Sequence, residues 1–256
     1  MRLTLMSCAI AIAVAFALAS SASAEEVTIY AAAGVKAPLL ALAAEYEKAT
    51  GHTIRALFDT AGATHKAFLA DPRAALLITT QALIAEAEKS GRLTGGATSR
   101  VGDTVAGFAA PPGSPKPDVS DTPKLRAALL AVRRIAFSDP ARGATVGTHF
   151  MKMIESLGIK DEVLKKATLA PDGVETMRLV LDGKVDLGVT QISEIVQANR
   201  AALVGPFPQE FDLSTTYSLW HRAGASSAVS SFAALLTGQA GRAALAAEGL
   251  RPPAAR

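Results

Sequence analysis

Cysteine is almost absent: the 256 residues hold one, Cys8, inside an apolar stretch near the N-terminus. A single thiol in that place excludes an internal disulfide framework and a thiolate metal site. Aromatic residues are sparse, at nine Phe, three Tyr and one Trp, which argues against the base-stacking platforms of single-stranded nucleic-acid binders. Charge of one sign is lacking as well. The 26 basic and 23 acidic residues leave a net +3 with no run of five or six like charges, so no nucleic-acid partner is expected. HExxH, GxSxG, the P-loop and GxGxxG are all missing, and neither a metal nor a cofactor is expected. What the chain does have is hydrophobic residues, 50% of the total against 19% charged, which excludes disorder and coiled coil. Its length suits one large α/β domain or two lobes.

Residues 1–24 read as a cleavable export signal. Arg2 is a short positive region, Leu3 to Leu18 is nearly unbroken apolar chain, and Ala22-Ser23-Ala24 is a small-residue cleavage site. The stretch is short of the roughly 20 apolar residues of a spanning helix and has no positive stop-transfer flank. The expectation is a periplasmic protein, monomeric and not inserted in the membrane after cleavage, whose mature part has no cysteine.

The mature chain alternates short apolar strands with helices, the pattern of parallel sheets covered by helices. Strands are predicted at Val27 to Tyr30, His52 to Phe58, Ala74 to Thr79 and Gly102 to Ala110, with helices between them. The stretch Pro111 to Pro117 is the most proline-rich of the chain and marks a boundary. The alternation then restarts, with strands at Arg134 to Phe137, Ala167 to Leu169 and Val185 to Thr190. A late strand, Ser214 to Arg222, precedes two Ala/Leu-rich helices. The expected division is lobe one at 25–108 and 219–256 and lobe two at 109–218, with crossings near Gly107 and Thr216.

Several segments together resemble the periplasmic molybdate-binding-protein family. They are Lys48-Ala49-Thr50-Gly51 at a helix end, the turn Asp59-Thr60-Ala61-Gly62, Phe137-Ser138-Asp139-Pro140-Ala141, and the run Gly183 to Gln191. The resemblance implies the type II periplasmic binding fold, two α/β lobes joined by two crossing strands and closing over a ligand. It also implies a small anionic ligand and membrane subunits of an ABC-type transporter as partner. Aconitate isomerase is similar to the same family, so an isomerase acting on a tricarboxylate is the alternative.

A helix N-terminus presents unpaired N–H groups and about half a positive charge, so several of them facing one cleft can hold an anion. Four helix starts follow predicted strands, after Gly34, after Thr60, after Gly143 to Thr145, and after Asp172-Gly173. The expected ligand-binding residues are Gly34, Val35, Lys36, Thr60, Ala61, Gly62, Arg142, Gly143, Thr145 and Gln191. The first turn, Ala31-Ala32-Ala33-Gly34, lacks the hydroxyls usual in molybdate-binding members, and Gln191 stands where those members place a tyrosine. These departures, with Lys36 and Arg142 near the turns, rank a carboxylate above an oxyanion. Should the protein be an enzyme, His65 and His149 are the candidate bases, since each lies within about a turn of a candidate helix start.

Overall fold

A computed structural model describes residues 24–253, so the export-signal reading falls, apart from Ala24, outside the described residues. The first strands are β1 (Glu26–Ala32), β2 (Thr53–Asp59) and β3 (Leu76–Thr80). They pair in parallel in the order β2-β1-β3. Between and after them run α1 (Lys36–Thr50), α2 (Ala61–Ala70) and α3 (Gln81–Lys89). Helix α1 ends at Gly51, whose φ of 75° is the left-handed conformation that glycine adopts without steric cost.

The long strand β4 (Gly96–Ala109) serves two sheets. From Gly96 to Val105 it pairs antiparallel with β9 (Ser214–Arg222), which in turn lies antiparallel to β3. From Ala106 onward it pairs with β7 (Leu187–Gln191) and with β8 (Leu203–Pro206). Strands β5 (Ile135–Ser138) and β6 (Ala167–Ala170) complete the second, mainly parallel set with β7. Its helices are α4 (Thr122–Ala131), α5 (Thr145–Ser156), the short α6 (Lys160–Leu164), α7 (Gly173–Leu181) and α8 (Ile192–Asn199). This is the type II periplasmic binding fold, two helix-flanked sheets joined through crossing strands.

Two helices close the chain, α9 (Ser227–Thr237) and α10 (Gln239–Ala247), and they return to the first sheet. Phe232, Leu236 and Leu245 share a core with Leu39, Leu42 and Tyr46 of α1. The Tyr46 hydroxyl donates to the Ala228 carbonyl at 2.8 Å. A separate core around Phe108, Phe137, Phe150 and Leu187 holds the second sheet. Two further clusters, around Phe68 and Trp220 and around Met177 and Val180, cover the opposite faces of the two sheets.

Three elements depart from the sequence reading. Strand β4 starts six residues before the predicted Gly102, because its outer part, Gly96 to Arg100, is a run of small and polar residues beside β9 with no apolar alternation to reveal it. Trp220 lies over Gly96 there and leaves no room for a side chain. Leu203 to Pro206 is a strand, and Lys160 to Leu164 is a helix of five residues, too short to show a period.

Strands β3, β5 and β7 are buried along their whole length, as expected for strands covered on both faces. Each is apolar until its carboxyl end, where it turns polar: Thr79-Thr80, Ser138 and Thr190-Gln191. Open α/β sheets place ligands at those ends. The first turn of α5 reaches one of them because Gly147 has no side chain, and a Cβ there would run into the Ser138 carbonyl. Gly147→Ala should therefore lower stability by about 1–3 kcal/mol, the usual cost of overpacking. Urea unfolding measures this; a gain of stability, as for an exposed helical glycine, would show that the helix start is free to shift.

Candidate functional site

The carboxyl ends of the strands from both sheets enclose a small cavity of about 30 Å³, room for about two waters or one anion of few atoms. Four helix starts reach its wall: the 3-10 turn Ala33–Val35 that leads into α1, α2 at Ala61, α5 at Thr145 and Val146, and α7 at Gly173. The turn at Ala33 and the start of α5 have no side-chain cap, so their first N–H groups remain available. Hydroxyl groups of Thr60, Ser138, Thr145, Thr190 and Tyr217 complete the wall with the Gln191 amide and the Glu194 carboxyl. No lysine or arginine lines it.

The two lobes touch around this cavity. The Gly62 N–H donates to the Gly143 carbonyl at 3.1 Å, and the Thr60 hydroxyl donates to the Arg142 carbonyl. The same Thr60 oxygen accepts from the Ala63 N–H at 3.2 Å and so caps α2. On the far side Gln197 of α8 spans the seam, accepting from the Ala37 N–H at 3.0 Å and donating to the Gly34 carbonyl at 2.8 Å.

Of the residues expected from the sequence, Thr60, Ala61, Thr145 and Gln191 line the cavity. Gly34 lies just behind it, against Tyr217, and Gly62 and Gly143 form the seam. Val35 is buried in the core of the first lobe. Lys36 and Arg142 do not line the cavity. The Lys36 ammonium sits 5.7 Å from the centre of the Phe58 ring, outside the cavity. Arg142 pairs with Asp59 at 2.6 Å and donates to the Pro171 carbonyl at 3.0 Å, so its guanidinium ties the lobes together on the outside.

The two histidines do not line it either. His149 stacks on Phe207 and its Nε2 lies 2.9 Å from the Phe211 carbonyl, in the second lobe away from the cavity. His65 is 4% exposed, does not reach the cavity wall, and has no partner for Nε2. Burial, helped by Arg92, holds its pKa below the usual range and keeps it neutral.

Sequence reasoning missed Ser138, Thr190, Glu194 and Tyr217. Glu194, at the third position of α8, is 8% exposed. Its Oε2 accepts from the Thr190 hydroxyl and from the Gln191 N–H at 3.2 Å. Burial pushes its carboxyl up to about 7, more than the two donors pull it down. Tyr217 is raised far above its ordinary value, first by burial and then by the neighbouring Glu194, so its hydroxyl stays protonated. The Gln191 Nε2 donates to the Thr215 hydroxyl at 2.9 Å, while its buried Oε1 has no partner. A half-turn of this amide keeps the Thr215 contact, since a hydroxyl both donates and accepts, and presents an NH₂ in place of the oxygen. Among the described residues no group of three or more His, Cys, Asp or Glu is placed to hold a metal ion, and no helix is long and apolar enough to cross a membrane.

Fold and cavity together define a two-lobed binding protein. The family model for bacterial extracellular solute-binding proteins matches residues 27–251, and the chain belongs to that family. Among relatives, an aconitate isomerase from Pseudomonas sp. is 23% identical over 197 residues, 75% of this chain and 74% of that one. The fold is similar to the periplasmic molybdate-binding protein of Azotobacter vinelandii, with a TM-score of 0.68 and 19% identity over 90% of this chain and 99% of that one. It is also similar to Peb3 from Campylobacter jejuni, with a TM-score of 0.63 and 15% identity over 89% of this chain and all of that one. PEB3 has also been solved with L-phospholactate bound.

The Glu194 carboxyl has a consequence for stability. Its value rises from an ordinary 4.5 to about 7 on folding, so between those pH values the native state holds more protons than the unfolded chain. The contribution of this group to stability is full below pH 4.5 and is lost as pH rises through 7. Glu194→Gln imitates the protonated form. It should be more stable than wild type at pH 8, by up to about 3 kcal/mol, and equal to it near pH 4.5. Melting curves at the two pH values check this; a variant less stable at pH 8 would mean that the ionised carboxylate is the favoured form.

Proposed function

We propose that the protein is an exported solute-binding protein that captures a small anion between its lobes and passes it to an ABC-type transporter. The observation that carries this reading is the meeting of four helix starts and five hydroxyl-bearing residues on one small cavity without a cationic side chain. Partial charges and N–H groups hold an anion there without the desolvation cost of a buried ion pair. The lobe division offered with it is 25–108 and 219–256 against 109–218, with the hinge in β4 and at the start of β9.

The ligand ranking changes with the positions of Lys36 and Arg142. Beside the hydroxyl-free turn Ala31-Ala32-Ala33 and Gln191, these cations are one of the grounds for ranking a carboxylate first. With both outside the wall, a compact oxyanion or a very short carboxylate suits the cavity better, and a tricarboxylate would need the lobes to part. Molybdate, phosphate, sulfate and short carboxylates should be compared by thermal shift, since a ligand at 100 times its Kd adds about 2.7 kcal/mol. Aconitate raising the melting temperature more than every small anion would reverse this ranking.

Closure can be tested at Gly62. A Cβ there would sit 2.7 Å from the Gly143 Cα across the seam, so Gly62→Ala should hold the lobes apart. Alanine favours the helix that contains it, so local unfolding is not the expected cause of any loss. Affinity for the anion found in the screen should fall about tenfold or more, equivalent to about 1.4 kcal/mol, with little change in the unliganded melting temperature. Unchanged affinity would remove closure over the ligand from this reading.

The second reading is an isomerase, favoured by one observation: two titratable groups, Glu194 and Tyr217, stand together on the cavity wall. An allylic shift moves a proton from a methylene carbon to the far carbon of the neighbouring double bond, with no net oxidant or reductant. Glu194, not His65 or His149, is the base in this version, and Tyr217 the neutral donor. Incubation with cis- and trans-aconitate followed by NMR decides the matter. If interconversion is seen, Glu194→Gln should slow it about 100-fold or more.

A further inference from the structure

We propose that Glu194 sets the protonation state of what the cavity takes: an anion binds there only when one proton lies between it and this carboxyl. The inference rests on the reading of the cavity as an anion site. An anion with its own proton, such as hydrogen phosphate, donates it to the ionised Glu194. An anion without one, such as sulfate or molybdate, binds only as Glu194 takes up a proton from solvent and donates it.

The geometry supports this in three ways. Glu194 is on the cavity wall itself, 8% exposed, and its carboxyl lies directly against Gly173 at the start of α7, where a Cβ would collide with it. Its Oε2 is already engaged by Thr190 and Gln191, which fixes the group in place but supplies no charge to balance it. The starts of α7 and α8 beside it carry only partial positive charge, and no cationic side chain lines the wall with it. Asp172 at the cap of α7 adds a second negative charge, and Tyr217 on β9 is neutral. Lys36 lies on the outer side, with its ammonium over Phe58. An unprotonated anion beside an ionised Glu194 would thus meet like charge in a small, largely buried cavity, where screening is weak.

A route for the proton is present. Glu194 also forms part of a second, outer pocket of about 200 Å³, together with Lys36, Leu40, Val174 and Gln197. Glu194 thus borders both the cavity and this outer pocket, and this is the path we assign to its proton exchange with solvent. The elevated carboxyl value, about 7, places this exchange in the neutral range.

Calorimetric titration of the protein with sulfate, molybdate and inorganic phosphate tests the proposal. It is run at pH 6, 7 and 8 in buffers of different ionisation heat, which counts protons without any mutation. Sulfate or molybdate should take up close to one proton at pH 8, and their affinity should fall about tenfold per pH unit above 7. Phosphate should take up little and hold its affinity between pH 7 and 8. In Glu194→Gln the uptake should vanish, and sulfate or molybdate should bind about tenfold or more tighter at pH 8 than to wild type. Binding of sulfate or molybdate at pH 8 without proton uptake, and equally by the variant, would overturn this proposal and leave the anion site standing. No binding of any of the three at any pH would overturn it together with the small-oxyanion reading.

Discussion

Gly62 and Gly143 meet backbone to backbone across the seam between the lobes, and the cavity takes its size from that contact. Each glycine starts or precedes a helix that points at the cavity, so their approach brings two N-termini to one point. A side chain on either would hold those helices apart. Gly143 has a second reason to be glycine, since its φ of 73° lies in the left-handed region. The hydrogen bonds of Thr60 and Arg142 lie beside this contact, and those of Gln197 cross the seam on its far side. Sequence, local turn, lobe closure and site are in this way one chain of causes.

The charge pattern follows from the same arrangement. A cation in so small a cavity would lose its hydration and would need a buried counter-ion when the ligand leaves. Helix starts avoid this, because partial charges on N–H groups can be left to water. The protein uses its nearest cation differently: Arg142, next to Gly143, reaches outward to Asp59 at the end of β2. Both side chains are substantially exposed, so the pair adds little to stability; its effect is on the distance between the lobes. The one formal charge on the wall is the Glu194 carboxyl, opposite in sign to what an anion site would be expected to carry. A buried carboxyl there makes protonation part of binding.

The turns were legible in the sequence because they are local. Thr60 before Ala61-Gly62, Gly143 before Thr145, and Asp172 before Gly173 show strand end, cap and helix within a few residues, and all line or adjoin the cavity. What the sequence could not display was which charges meet. Arg142 next to a turn looks like a ligand-gripping residue until Asp59, 83 positions away, is seen beside it. His149 looks similar until Phe207 and Phe211 fold over it. Glu194 has the look of an ordinary capping residue three positions after Gln191, and it does reach the Gln191 N–H; only the sheet shows that its carboxyl also faces the cavity. One signal was available: two polar residues, Thr190-Gln191, ending a buried apolar strand and followed by an acid in the first helical turn. Thr79-Thr80 and Ser138 end their strands in the same way.

Tyr217 explains how the first turn can do without hydroxyls. The alanines of Ala31-Ala32-Ala33 bring only backbone to the cavity, a seeming loss of polar contacts for an anion. Yet small residues are what let the returning strand β9 come close. A Cβ on Gly34 would stand 2.5 Å from the Tyr217 Oη, so the phenol occupies the space that a side chain in this turn would fill. Its hydroxyl is held protonated by burial and by Glu194, which makes it a donor throughout the neutral range. The donor thus comes from the far end of the chain, on a strand that leaves the second lobe and enters the first. Because β9 starts at the crossing between the lobes, the position of that hydroxyl depends on their relative placement. The alanine turn and the late tyrosine are therefore parts of one arrangement, in which the small residues of the turn make room for the donor that the wall receives from β9.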